Sequence, residues 1–306
     1  MPEPADQSSA GQEPVISCRD VVKMFDGRKV LDGVTFDVHE GETMVVMGGS
    51  GCGKSTLLRC MVGSYEIEGG EIDLFGRNIA KLDSEGMDEV RKNFGILFQS
   101  GALFNSMTVA ENVALPLREH TDLDPGTIDI MVKIKLELVG LREHADKYPA
   151  QISGGMKKRA GLARALALDP RVLFYDEPSA GLDPVTSAEI DRLIVDLTRK
   201  VGVTSVVVTH DMDSAFTIAD RMVMLDKGIV LMQGRREVFD ELRHTTAEEA
   251  KDMPEDRRLV RQFLRGDAEG PITERKAATS YAEDLLGSAG GARPEGPSIE
   301  TTRAMG

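Results

Sequence analysis

The sequence predicts an α/β fold in which a parallel sheet is interrupted by an all-helical insert. Three observations carry that expectation. An unbroken apolar segment, Thr43–Met47, runs into a glycine-rich loop and then a helical pattern, the order of a buried strand, a turn and a helix. Apolar strand segments recur at 171–175, 203–209 and 222–225, with a helix expected from about Val185 to Lys200 between the first two; that is the strand–helix–strand rhythm of a parallel sheet. Between about residues 100 and 169 the composition shifts to helix formers, with helical spacing in Ile130, Ile134, Leu138 and Leu141.

The bulk numbers bound the function. With 306 residues, one large domain plus appendages is expected. Hydrophobic content of 41 % and charged content of 29 % give ample material for a core. A net charge of −14 argues against a nucleic-acid partner bound by neutralising phosphates. The three cysteines, Cys18, Cys52 and Cys60, suggest no disulfide framework, which fits a reducing cytoplasm. The start of the chain is acidic and Pro/Ser-rich rather than basic then apolar, and no apolar run approaches the roughly 18 residues of a membrane helix. Any service to a membrane is expected to go through partners.

Taken in order, residues 1–14 read as a disordered leader. From Val15 to His39, apolar runs alternate with Asp26-Gly27 and Asp32-Gly33, so antiparallel strands with two turns are expected. Phe25, just before the first turn, is either a purine-stacking ring or an ordinary core aromatic. Residues 68–76 read as a turn and an edge strand, and 91–98 lead into a strand ending on Gln99. Residues 241–270 read as a helical extension and 271–306 as a disordered tail. Within the extension, Leu259, Val260, Phe263 and Leu264 gather on one helix face, to dock on their own domain or on a partner.

Three motifs carry chemistry. Gly48-Gly49-Ser50-Gly51-Cys52-Gly53-Lys54-Ser55-Thr56 satisfies the P-loop pattern. Its glycines let backbone N–H groups curl around phosphate oxygens at a helix N-terminus. Lys54 supplies a full charge to the β- and γ-phosphates and the Ser55 hydroxyl suits Mg²⁺. ATP and Mg²⁺ are therefore expected. Val172–Glu177 is an apolar strand ending in two carboxylates: Asp176 is placed to hold Mg²⁺, and Glu177 to polarise a water attacking the γ-phosphate. Ser153-Gly154-Gly155 begins a helix rich in small residues, with Ser153 as N-cap and freed amides as a second anion site. Two anion sites separated by a helical insert suggest two chains facing head to tail, each offering this segment to the other's ATP.

The P-loop, Gln99, Ser-Gly-Gly, Asp-Glu and His210 after a β-run, in this order and spacing, resemble the ATPase subunit of an ABC (ATP-binding cassette) transporter over residues 15–240. The resemblance implies a P-loop NTPase with a RecA-like core, an antiparallel β subdomain and a helical subdomain at about 100–169. It implies an ATP-sandwich homodimer in which Gln99 senses the γ-phosphate and Mg²⁺, Glu177 is the general base and His210 contacts the γ-phosphate. Phe25 would stack on adenine, and Ser179–Asp183 would communicate across the dimer. The second motif usually ends in Gln and here has Met156, without an amide's hydrogen bonds. Met156 followed by Lys157-Lys158-Arg159, together with Phe98–Phe104, Glu111–Val113 and Pro116–His120, is similar to the Mla-type phospholipid-transport branch that works with MCE proteins. That similarity implies an integral membrane permease, an MCE-domain lipid-binding protein and a small accessory subunit as partners, and a peripheral position on the cytoplasmic face of the inner membrane. An ABC ATPase for an amino acid or a drug, or a soluble non-transport ABC protein, are the alternatives.

Overall fold

The structure is a computed structural model describing residues 13–273; the leader to residue 12 and the tail beyond 273 lie outside the described residues. β1 (Ile16–Phe25) and β2 (Arg28–Val38) form a hairpin. Its turn residues, Asp26 and Gly27, have φ of 49° and 78°, as a two-residue I′ turn requires. The second Asp-Gly pair does not turn. Asp32 and Gly33 lie inside β2, where the register passes from Val21↔Val34 to Val22↔Asp32 and Gly33 becomes the extra residue of a bulge.

The chain then enters a second sheet as β3 (Thr43–Gly48), continues through α1 (Lys54–Met61) and returns to the first sheet as β4 (Gly69–Leu74) and the two-residue β5 (Arg77–Asn78). The order β2-β1-β4-β5 makes β4 internal rather than the expected edge. After α2 (Ser84–Arg91), β6 (Phe94–Leu97) leads to a helical layer of α3 (Val109–His120), α4 (Pro125–Leu138) and α5 (Gly154–Ala165). The second sheet is completed by β7 (Val172–Asp176), α6 (Pro184–Asp196), β8 (Thr204–Val208), α7 (Met212–Ile218), β9 (Arg221–Asp226) and β10 (Ile229–Arg235). Its order is β10-β9-β3-β8-β7-β6, parallel except for β10. The α/β expectation, with the P-loop strand parallel to its neighbours and buried on both faces, is borne out.

Period-two alternation divides the core between the two faces of this sheet. Val45, Met47, Leu173, Tyr175 and Val207 pack toward the helical layer. Met44, Val46, Val172, Phe174, Val206 and Val208 pack toward α1 and the antiparallel sheet. Burial on both faces explains why these strands are apolar without interruption.

α4 corrects one expectation. Its buried face is Ile128, Val132 and Leu136, whereas Ile130, Ile134 and Leu138 are exposed. The helix is apolar most of the way round, so periodicity alone does not select the buried face.

α8 (Arg236–His244) and α9 (Glu255–Arg265) close the described chain. Leu259, Val260 and Leu264 are buried and Phe263 half-buried, with α9 lying on α8 and β10 of the same chain. Of the two docking alternatives, this conformation takes the one in cis. Gly266 (φ 68°) ends the helix, with its N–H and that of Asp267 donating to the Phe263 and Gln262 carbonyls.

Candidate active site

Because β3, β8, β7 and β6 are adjacent and parallel, their C-terminal ends open on one edge, where ligands of α/β sheets bind. Each delivers one motif there: the glycine loop after β3, His210 after β8, Asp176 and Glu177 at the end of β7, and Gln99 after β6. The glycine loop, Gln99, Glu177 and His210 border a cleft of about 580 Å³, within the usual range for small-molecule sites. Asp176 does not line it but is joined to it through Ser55. A smaller cleft of about 360 Å³ between α3 and α4 has no glycine loop.

The loop's residue types follow from its surroundings. A Cβ on Gly48 (φ 147°) would lie 2.2 Å from the Leu225 carbonyl oxygen, so only glycine fits where the loop leaves β3 beside β9. Gly53, in the left-handed region, begins α1 without a side-chain cap, so the helix's first amides are left for an external anion. Lys54 is almost fully buried and its Nζ donates to the carbonyls of Gly48 (2.8 Å) and Gly49 (3.0 Å). Two of its three protons thus fix the ammonium over the loop. Gly49, Ser50, Gly51, Ser55 and Thr56 also line the cleft. Cys52 does not: its side chain is buried beneath Gly48, and burial raises its thiol pKa.

Opposite the loop, the Ser55 hydroxyl donates to Asp176 Oδ1 at 3.2 Å. Burial raises the Asp176 carboxyl above its ordinary value and the Ser55 hydrogen bond partly offsets it. Glu177 has φ of 51°, an uncommon left-handed conformation for a residue with a Cβ. It turns the side chain out of the strand, so that Oε2 meets His210 Nδ1 at 2.8 Å and the His210 N–H at 3.4 Å.

Gln99 is exposed at the cleft. The loop after it is anchored from the helical layer: Asn112, fully buried, accepts from the Phe104 N–H, and Arg164 donates to the carbonyls of Gly101 and Ala102. Phe25 does not border the cleft. It is 40 % exposed at the end of β1, edge-to-face with Tyr65 at 5.3 Å and with the Lys23 ammonium 5.0 Å over its ring.

Ser153, Gly154, Gly155 and Asp183 also lie outside the cleft. Ser153 accepts from the Met156 N–H and caps α5, while Ser153 and Gly154 are exposed. Asp183 caps α6 by accepting from Val185 N, Thr186 N and Thr186 Oγ1; the Thr186 contacts hold its carboxyl below the usual range. A Cβ on Gly155 would meet Thr186 Cγ2 at 2.4 Å, so this glycine is needed for close packing of α5 on α6.

Sequence reasoning missed Val30 and Phe263, which line the cleft. It also took Lys157-Lys158-Arg159 only as part of a family resemblance and did not single out Lys158, which is buried. The signal was available in its spacing, three residues after Gly155 and four before Leu162, on the inward face of α5.

Residues 31–180 match the family model described as ABC transporter. The intermembrane phospholipid transport system ATP-binding protein MlaF of Escherichia coli is 42 % identical over 273 residues, covering 89 % of this chain and 96 % of MlaF. The probable ribonucleotide transport ATP-binding protein mkl of Mycobacterium leprae is 41 % identical over 271 residues, covering 88 % of this chain and 74 % of mkl. Among solved structures, the ADP- and Pi-bound dimeric cassette MJ0796 aligns with a TM-score of 0.66 at 30 % identity, covering 72 % of this chain and 98 % of that one. CbiO1 from Clostridium perfringens, part of the ABC transporter complex cbiONQ, aligns with a TM-score of 0.70 at 31 % identity, covering 75 % and 92 %. With a phosphate loop, paired carboxylates and a histidine gathered on one sheet edge, and relatives matched along most of their length, the chain belongs to the ABC transporter family as one of its ATP-binding, ATP-hydrolysing proteins.

Proposed function

We propose that this chain is the ATPase subunit of a phospholipid transport system, working as a homodimer beneath an integral membrane permease. The observation that carries the reading is the match to MlaF over 96 % of that protein's length; mkl is matched over only 74 % of its own. Met156 in place of glutamine points the same way. The partners proposed with it are an MCE-domain lipid-binding protein and a small accessory subunit. No helix among the described residues is long and apolar enough to cross a membrane, in keeping with a peripheral position on the cytoplasmic face of the inner membrane.

In this reading the glycine-loop amides from Gly48 to Thr56 and the Lys54 ammonium hold the β- and γ-phosphates, and Phe25 stacks on the adenine. The oxygen donors Ser55, Asp176 and Gln99 fit Mg²⁺, a hard cation that takes few protein ligands and keeps phosphate and water for the rest. When bound, it neutralises phosphate charge. Glu177 accepts the proton of the attacking water, and His210 steadies that carboxylate and reaches the γ-phosphate. Ser153, Gly154 and Gly155, away from their own cleft, serve the ATP of the partner subunit, as the dimeric arrangement of the MJ0796 cassette supports. Asp183 and the turn before it lie at that interface.

The test is purification of the tagged chain from membranes in mild detergent, with identification of co-purifying subunits and extracted lipid. A permease, an MCE-domain protein and bound phospholipid are expected. A permease with ribonucleotide-stimulated ATPase activity and no lipid would favour the second reading, which the name of mkl supplies.

A further inference from the structure

Lys158 is 5 % exposed, and its ammonium donates to three carbonyls of one short segment: Glu177 (3.2 Å), Pro178 (2.6 Å) and Ala180 (2.7 Å). An ammonium has three protons, so its donors are fully engaged. No carboxylate lies within ion-pair distance of it among the described residues. A buried charge outside any close ion pair is costly: burial pulls its pKa down, and the Glu177 carboxylate, beyond ion-pair distance, offsets this only in part. Its three hydrogen bonds are all to the turn that follows β7.

What it holds is the turn on which the carboxylate opposite the phosphate loop depends. Glu177 sits at φ 51° and the turn closes with Gly181 at φ 75°. Its internal bonds, Ala180 N–H to the Glu177 carbonyl and Leu182 N–H to the Ser179 carbonyl, are each 3.2 Å. The ammonium gathers carbonyls that would otherwise repel one another. At its other end, Lys158 belongs to the same rigid helix as Ser153 and Gly154, about 7 Å along the axis at 1.5 Å per residue.

We propose that Lys158 is a positioning residue that ties the helix start Ser153–Gly155 to the backbone of Glu177. Engagement of that helix start by the ATP held in one subunit then aligns Glu177 over the ATP of the other. This rests on the head-to-tail dimer proposed above. It predicts that Lys158 governs communication between the two ATP sites more than ATP binding itself.

The test uses the purified full-length chain in its transporter complex, with Lys158→Met and the milder Lys158→Gln, which keeps two donors. ATP affinity, read with a fluorescent ATP analogue, is expected to stay within threefold for both. Turnover is expected to fall 10- to 100-fold in Lys158→Met and less in Lys158→Gln. The Hill coefficient for ATP is expected to exceed 1 in the parent and to drop toward 1 in both variants, which a merely structural defect that removes active protein would not do; a parental coefficient of 1 would overturn the proposal. Should Lys158→Met fail to fold, Lys158→Gln carries the same readouts. A parental Hill coefficient with turnover within twofold would overturn the proposal. The dimer is checked separately by ATP-induced dimerisation of Glu177→Gln with Lys158 intact. No dimerisation there overturns the underlying reading and the proposal with it; dimerisation with unaltered Lys158 variants overturns the proposal alone.

Discussion

Glu177 Oε2 lies 2.8 Å from His210 Nδ1 and 3.4 Å from the His210 N–H. Both contacts fall on one carboxylate oxygen, so the pair fixes the side chain at the cleft. The backbone at φ 51° brings Glu177 out of β7 into this position, and a backbone conformation held against its intrinsic preference is common where geometry serves chemistry.

The first prediction follows from that pair. Glu177→Gln keeps the shape and an oxygen for His210 but removes the carboxylate proposed as proton acceptor. ATP affinity is expected to stay near that of the parent while turnover falls by about two to four orders of magnitude, the usual worth of a positioned base. Single-turnover hydrolysis by the purified complex measures it; near-parental rates would remove Glu177 from the role.

The second concerns Asp176 and pH. Burial raises its carboxyl above the ordinary 3.8, so the folded chain takes up this proton more readily than the unfolded chain. The resulting stability is fully present below the unfolded pKa and is lost as pH rises through the folded one. At neutral pH the ionised Asp176 therefore weakens the nucleotide-free fold. Asp176→Asn is expected to melt above the parent at pH 7 to 8, with the gap closing as pH falls toward about 4, the ordinary carboxylate range. Mg²⁺-dependent hydrolysis is expected to collapse in the same variant. A lower melting temperature at pH 7.5 would show that the charge stabilises the fold.

The third tests why Gly155 is glycine. Its missing Cβ would lie 2.4 Å from Thr186 Cγ2, and overpacking of this kind costs about 1–3 kcal/mol. Gly155→Ala is expected to lower the melting temperature. Adding Thr186→Ser removes Cγ2 but keeps the hydroxyl that donates to Asp183 at 2.6 Å, so the double variant recovers most of the loss. If Gly155 also serves the partner's ATP, turnover stays depressed in the double variant; full recovery of turnover would confine Gly155 to packing.

These residues differ in how far the chain itself announced them. The phosphate loop, Gln99, Asp176–Glu177 and His210 were legible because the topology carries each to the same sheet edge at a strand end, and because the loop's residue types are the mechanism of phosphate binding. The buried face of α4 was not legible: Ile128, Val132 and Leu136 alternate with Ile130, Ile134 and Leu138 on a helix with too little polar surface to orient it. Asp32-Gly33 has the composition of a turn, but pairing of β1 with β2 on both sides of it converts it to a bulge. Lys158 lies at an inward spacing on α5, but its role escaped because its three acceptors lie on the turn after β7, about 20 residues further along the chain.

The last prediction concerns α9. Leu259, Val260 and Leu264 are each at most 2 % exposed within their own chain, and Arg261 secures the same helix by donating to the Thr245 carbonyl at 2.9 Å. Leu259→Ala is expected to cost about 2–5 kcal/mol of stability, the range for leucine truncation in a packed core. Removing everything after Arg258 should cost more, exposing Phe239 and Leu242 on α8. Phe263 adds a second consequence, because it borders the nucleotide cleft: Phe263→Ala is expected to change ATP affinity with a smaller effect on melting than Leu259→Ala. Thermal unfolding and light scattering on the same preparations separate the two docking modes. A destabilised monomer with unchanged association supports docking in cis. Loss of association at an unchanged monomer melting temperature would place this apolar stripe on a partner instead.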